Sequence, residues 1–163
     1  MIKPNQNIHS KADLDCESEK YADEVFYAFD GCRGWDPRYR FGKKYKYYPT
    51  MVCVCTDDNR QLLGEDYSRI PCLKEYNETQ MLTEMGRQFC PNGKLPGWDD
   101  LQTYSLQGFK IGQCAEQHAA NELLKGLRCQ KDIKKDIMFG KAVRCVTGEE
   151  RPYCMNCKNL FNI

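Results

Sequence analysis

Two short stretches hold the residue types that metal chemistry needs. Gly112-Gln113-Cys114-Ala115-Glu116 sets a thiol and a carboxylate two residues apart where a helix begins, and Pro152-Tyr153-Cys154-Met155-Asn156-Cys157 sets a pair of thiols ahead of a second helix. Zinc is held by cysteine thiolates, and its catalytic sites keep three protein ligands with water in the fourth position. Cys114, Cys154 and Cys157 would be those three ligands. Glu116 would be the carboxylate that moves protons without binding metal. Residues two apart in mid-helix point about 200° away from each other. In a first turn, however, a short Cys and a longer Glu can reach one pocket. A helix N-terminus also favours the thiolate, through the positive end of the helix dipole.

Plainer readings of the same residues exist. Cys154-x-x-Cys157 could be a redox dithiol, although that requires a thioredoxin-like βαβ setting that the surrounding pattern lacks. His118, one helical turn after Cys114, could join the three cysteines in a closed, purely structural zinc site. Glu116 could serve only to favour the helix dipole, a contribution of about 0.3–1 kcal/mol.

Taken together, the two stretches resemble the zinc-dependent nucleobase and nucleoside deaminases, which carry His or Cys followed two residues later by Glu, and then a distant Pro-Cys-x-x-Cys. Cys114-Ala115-Glu116 is similar to the free cytidine deaminases and to the YwqJ-like group of bacterial polymorphic-toxin deaminases. The ending from Lys141 to Phe161, a strand, a turn and CxxC, looks more like the toxin group. One departure is that Tyr153 separates Pro152 from Cys154, which are adjacent in the family.

The resemblance covers about residues 47–161 and implies a cytidine deaminase-like three-layer α/β/α sandwich with a central mixed β-sheet. It implies Zn2+ on Cys114, Cys154 and Cys157, with Glu116 as proton shuttle. The expected activity is hydrolytic deamination of a base in DNA or RNA, with cytosine favoured over adenine. A toxin would also imply an immunity protein as partner. Two alternatives stand beside it: a deaminase of free nucleosides or nucleotides, and a non-catalytic, zinc-stapled interaction domain. Three thiolates around zinc leave a net negative centre that works against hydroxide formation, and Arg144 or Arg151 could supply a relieving cation.

Substrate class turns on Arg38-Tyr39-Arg40-Phe41-Gly42-Lys43-Lys44-Tyr45-Lys46-Tyr47-Tyr48, in which cations alternate with rings and no acidic residue intervenes. Cations track phosphates while rings stack on unpaired bases, a common way of holding single-stranded nucleic acid. Arg38, Arg40, Lys43, Lys44 and Tyr45 are therefore candidate substrate contacts. The plain alternative is a solvated loop leading into a strand.

The remainder of the chain must position these groups. Its 163 residues suit one domain with a real core, and 41% hydrophobic with 29% charged residues is the balance of a soluble globular protein. A net charge of +1 excludes a uniformly basic nucleic-acid binder, so any such binding must be local. The longest apolar run, Met51 to Cys55, is too short to span a membrane, and the first residues lack a signal-peptide pattern. The expectation is a cytoplasmic protein, or a piece of a longer exported one. The eleven cysteines leave eight after metal binding, and these read as free thiols rather than disulfides.

Periodicity predicts a helix over Asp13–Phe29, strands over Tyr47–Cys55 and Arg60–Leu63 around the turn Thr56-Asp57-Asp58-Asn59, and a helix over Asn77–Phe89. A short strand over Thr103–Phe109 precedes the metal helix, Cys114–Lys125, which Gly126 closes. A strand over Ile137–Val146 and a terminal helix over Cys154–Phe161 complete a single α/β sandwich. Residues 1–12 are expected to be loose, and 65–109 to be an insertion shaping a pocket rim.

Overall fold

The computed structural model describes residues 2–4, 8–29, 51–68, 80–89, 112, 114–127, 130–145 and 147–163. In chain order these form β1 (Ile2–Pro4), α1 (Lys11–Phe29), β2 (Met51–Asp57), β3 (Leu62–Tyr67), α2 (Gln80–Phe89), α3 (Ala115–Gly126), β4 (Ile137–Phe139), β5 (Ala142–Arg144), β6 (Glu150–Arg151) and α4 (Met155–Phe161). The class is α/β, as expected.

The strand order is β1-β3-β2-β5-β6, with β4 also pairing with β2. A mixed sheet was expected, but every pairing among the described residues is antiparallel. Alternation along β2 divides the core between two faces. Val52 and Val54 pack with Leu14, Tyr21, Ala22, Val25 and Phe26 of α1. Cys53 and Cys55 face the other way, into a cluster with Ala119, Ala120 and Leu123 of α3, Met81 and Met85 of α2, and Leu160 and Phe161 of α4. Both β2 cysteines are thus buried small hydrophobes, and the seven cysteines among the described residues are free thiols.

The element boundaries differ from expectation for local reasons. Helix α1 starts earlier than Asp13 because Ser10 and Asp13 cap it reciprocally: the Asp13 N–H donates to Ser10 Oγ (3.3 Å) and the Ser10 N–H to Asp13 Oδ2 (3.1 Å). Residues 1–12 are not uniformly loose, since Ile2–Pro4 form β1 against Leu62–Gly64 and Ile8 is buried. Strand β3 continues past Leu63, its expected end, to Tyr67, through Gly64-Glu65-Asp66. Of the segment 65–109, therefore, the first residues complete a core strand and Gln80–Phe89 form α2, while 69–79 and 90–111 lie outside the described residues.

The strand expected over Ile137–Val146 is broken into β4 and β5. The register against β2 shifts by one residue between Cys55↔Phe139 and Val52↔Val143, so one extra residue is accommodated at Gly140–Lys141 as a bulge. Glycine is required there because α1 passes directly over it: a Cβ on Gly140 would lie 2.6 Å from the Leu14 carbonyl oxygen. The bulge is tied down by Gly140 N–H donating to the Val54 carbonyl (2.8 Å) and Lys141 N–H donating to Asp15 Oδ1 (2.7 Å).

Helix α3 is seated in the same manner. A Cβ on Gly64 of β3 would come within 2.4 Å of the Ala119 carbonyl oxygen and 2.7 Å of Leu123 Cβ. Gly64→Ala should therefore push α3 off the sheet and cost about 1–3 kcal/mol, the usual range for overpacking. Urea unfolding measures this directly, and an unchanged midpoint would show that α3 has slack at this contact.

Candidate metal centre

Cys114 and Cys154 occupy equivalent places. Each is the N-cap of its helix, with extended backbone (φ −67°, ψ 143° and φ −72°, ψ 163°). Each also starts the helical ladder: the His118 N–H donates to the Cys114 carbonyl at 3.2 Å and the Lys158 N–H to that of Cys154 at 2.9 Å. Cys157 lies in the first turn of α4 and is fully buried. The terminal turn of α4 is closed by Asn162 in the left-handed conformation (φ 57°), and Lys134 Nζ donates to the Asn159 and Leu160 carbonyls.

The two helix starts bring three sulfurs together. Cys114 Sγ and Cys154 Sγ are 3.3 Å apart, and the three Sγ atoms of Cys114, Cys154 and Cys157 all lie within 4.8 Å of one another. Thiolates bound tetrahedrally to one zinc at about 2.3 Å would stand about 3.8 Å apart. The donor set and its spacing fit a zinc ion. Among the described residues this is the only cluster of three or more potential ligands, and neither His118 nor Glu116 belongs to it. His118 is buried elsewhere on α3, so the four-ligand closed site is not assembled.

Glu116 reaches the cluster as a neighbour. It is buried, and the Cys157 thiol donates to its Oε2 at 3.7 Å. Burial, reinforced by the negative charge of Cys154, lifts the Glu116 carboxyl to about 7. Cys154 moves the opposite way. The hydrogen bond from the Cys114 thiol, with the backbone N–H groups of Cys157 and Asn156, brings it down to about 3. The pairing with Cys154 raises the Cys114 thiol, and burial raises that of Cys157. The pocket therefore sets a sulfur whose affinity for protons is lowered beside two whose affinity is raised, and next to them a carboxyl whose affinity is raised by burial.

The cations considered for charge relief lie on the short outer hairpin β5–β6, where Arg144 and Arg151 are both exposed. What the sulfurs receive instead is hydrogen-bond donation. Besides the α4 N–H groups, Gln117 Nε2 donates to Cys157 Sγ at 3.8 Å while its Oε1 accepts from the Gly112 N–H. That second bond fixes which end of the amide faces the sulfur. Gln117 is fully buried, and its position directly after Glu116, on the Cys114 face of the first turn, is the signal that could have found it. Tyr153, which separates Pro152 from Cys154, is half-buried and bonded to the Gly140 bulge (Oη to carbonyl, 2.8 Å). Arg38, Arg40, Lys43, Lys44 and Tyr45 lie outside the described residues.

Compared with protein-family models, curated proteins and solved structures, the chain matches none of them.

Purified protein should carry about one zinc per chain. Cys154→Ser and Cys157→Ser should each lose the metal together with much of the stability, because metal-binding free energy is also folding free energy. Elemental analysis and thermal melts with and without chelator test this, and full metal retention in both variants would refute the three-thiolate site.

Proposed function

We propose that the chain is a zinc-dependent hydrolytic deaminase acting on a nucleobase, cytosine in the first place, carried in DNA or RNA. The observation that supports this most is the buried Glu116 carboxylate beside three converging thiols but outside their ligand set. A structural zinc site has no use for a buried carboxyl with its affinity for protons raised to about 7. A deaminase needs such a group, because its reaction moves a proton from water to a ring nitrogen and then to a leaving amine.

When bound by Cys114, Cys154 and Cys157, zinc would supply Lewis-acid activation of water. The chain's own residues account for the proton traffic. Glu116 takes a proton from water and passes it to the ring nitrogen next to the amino-bearing carbon. The water oxygen bonds to that carbon, Glu116 takes the remaining hydroxyl proton and delivers it to the exocyclic nitrogen, and the C–N bond breaks, so that amine and water become carbonyl and ammonia. A buried carboxyl beside the site can perform both transfers, accepting each proton in its ionised form and donating it in its neutral one. Burial of Glu116 keeps bulk water from competing for the proton.

Glu116→Gln keeps the shape and most of the hydrogen bonding but cannot carry a proton. Zinc content and melting temperature should barely change, while ammonia release should fall at least 10²–10⁴-fold, the range supplied by positioned acid–base groups. Growth inhibition of a bacterial host is the second readout, given the resemblance to toxin deaminases, whose cognate partner would be an immunity protein. A Gln variant with zinc and near-normal activity would reduce Glu116 to a helix-start residue and refute the deaminase reading.

Nucleic acid rather than free nucleoside is favoured by the alternation of Arg38, Arg40, Lys43 and Lys44 with aromatic rings. Replacing these four by Gln should weaken binding to single-stranded DNA or RNA and flatten its salt dependence, with folding intact. Unchanged affinity across a salt series would transfer the proposal to free nucleosides.

A further inference from the structure

Three side chains donate to carbonyls of the Gly140 bulge, those of Tyr153, Cys53 and Lys11, and Tyr153 is the immediate neighbour of a candidate metal ligand. The Gly140 carbonyl accepts from Tyr153 Oη at 2.8 Å and from the Cys53 thiol at 3.5 Å. The adjacent Phe139 carbonyl accepts from Lys11 Nζ at 3.2 Å, and the same ammonium lies 3.3 Å from Tyr153 Oη. The Tyr153 ring stands edge-on to Phe139, centroids 6.5 Å apart, and Phe139 in turn packs on Phe161 at 4.6 Å. Phe139 is thus gripped by one ring from just before the CxxC pair and by another from the end of the same helix.

This arrangement fixes α4 at both ends. Phe161 anchors its last turn, and Tyr153 anchors the residue that enters its first turn. Cys154 is the N-cap, where helices fray most readily, and its Sγ must stand close to Cys114 Sγ on a different helix. Without the Tyr153 hydroxyl, the Gly140 carbonyl would keep the Cys53 thiol, a weak donor, and the two residues between the β6 pairing at Arg151 and Cys154 would lose the side-chain bond that ties them to the bulge.

We propose that Tyr153 is a positioning residue for the metal centre: its hydroxyl, bonded to the Gly140 carbonyl, holds Cys154 beside Cys114 and Cys157, so that the three sulfurs can converge on one ion. The inference rests on the metal-binding reading of Cys114, Cys154 and Cys157. It turns the residue that interrupts Pro152 and Cys154 from a departure into a working part. Groups outside the ligand set that orient metal ligands commonly change affinity 10–100-fold when altered.

The test is Tyr153→Phe, which keeps the ring and its contact with Phe139 and removes only the hydroxyl. Zinc affinity of the wild-type chain and the variant is measured by competition with a chromophoric chelator, and cobalt-substituted samples report the thiolate-to-metal charge-transfer bands. The expected result is an affinity about tenfold weaker in the variant, with altered charge-transfer intensity. A residue that merely supports the fold would lower the melting temperature of the metal-free chain and leave affinity and spectrum unchanged, and that outcome overturns the proposal. If the wild-type chain itself fails to bind zinc or cobalt, the metal reading falls first, and the inference with it. Tyr153→Leu, which also removes the ring, should weaken affinity further, and parity with Tyr153→Phe would assign the whole effect to the hydroxyl.

Discussion

Two helix N-termini, each capped by a cysteine, face each other across 3.3 Å of sulfur-to-sulfur distance, and much of the fold exists to hold them there. The juxtaposition is unfavourable in itself, because each terminus presents the positive end of a helix dipole and unsatisfied N–H groups. Negative charge between the two ends reverses the sign of that interaction. The Cys154 thiolate provides such charge, and it accepts from the Asn156 and Cys157 N–H groups as well as from the Cys114 thiol. The sulfur cluster thus holds the helix ends together as well as offering ligands, and the same electrostatics that tolerate the geometry prepare it for a cation.

Burial of Glu116 follows a different logic. A carboxyl enclosed with thiols pays for desolvation, and its affinity for protons rises to about 7. Neutral packing at this position would serve stability better. In the function proposed above the residue is a proton carrier beside a metal centre, a role that requires it to stand near the ligands without joining them. Its place two residues after Cys114 in a first turn meets that requirement, since the Cys157 thiol reaches its Oε2 while the ligand cluster excludes it.

The scaffold that aims these groups relies on two glycines and a bulge. Gly64 lets α3 approach β3 to backbone contact, and Gly140 lets α1 cross the break between β4 and β5. The bulge then offers its carbonyl to Tyr153, linking α1, the sheet and the start of α4 through one small region. Elsewhere the buried carboxylate of Glu65 pairs with Lys3 at 3.0 Å, so β1 brings a charge partner as well as backbone hydrogen bonds to β3. No helix among the described residues is long and apolar enough to cross a membrane.

The sequence by itself determined the parts that rest on local chemistry. The Ala- and Leu-rich run after Cys114 makes a helix by propensity and period, and the sequence places Cys114 and Cys154 at the starts of their helices. The chemical types and spacing of Cys114, Glu116, Cys154 and Cys157 were enough to nominate the site. Tertiary structure alone decided what depends on partners distant in the chain. The strand expected to end at Leu63 runs on through Gly64-Glu65-Asp66 because Lys3 pairs with the buried Glu65 and α3 fills the space over Gly64. The break at Gly140 is invisible in a strand-like run until α1 crosses it. Whether His118 or Glu116 would join the cysteines could not be read from spacing, because both lie within one turn of Cys114. Only the approach of α4, guided by Phe139, Phe161 and Tyr153, selects the side of α3 on which the thiols converge. Local periodicity specifies which face of a helix a residue occupies, but the neighbour met by that face is set by long-range packing.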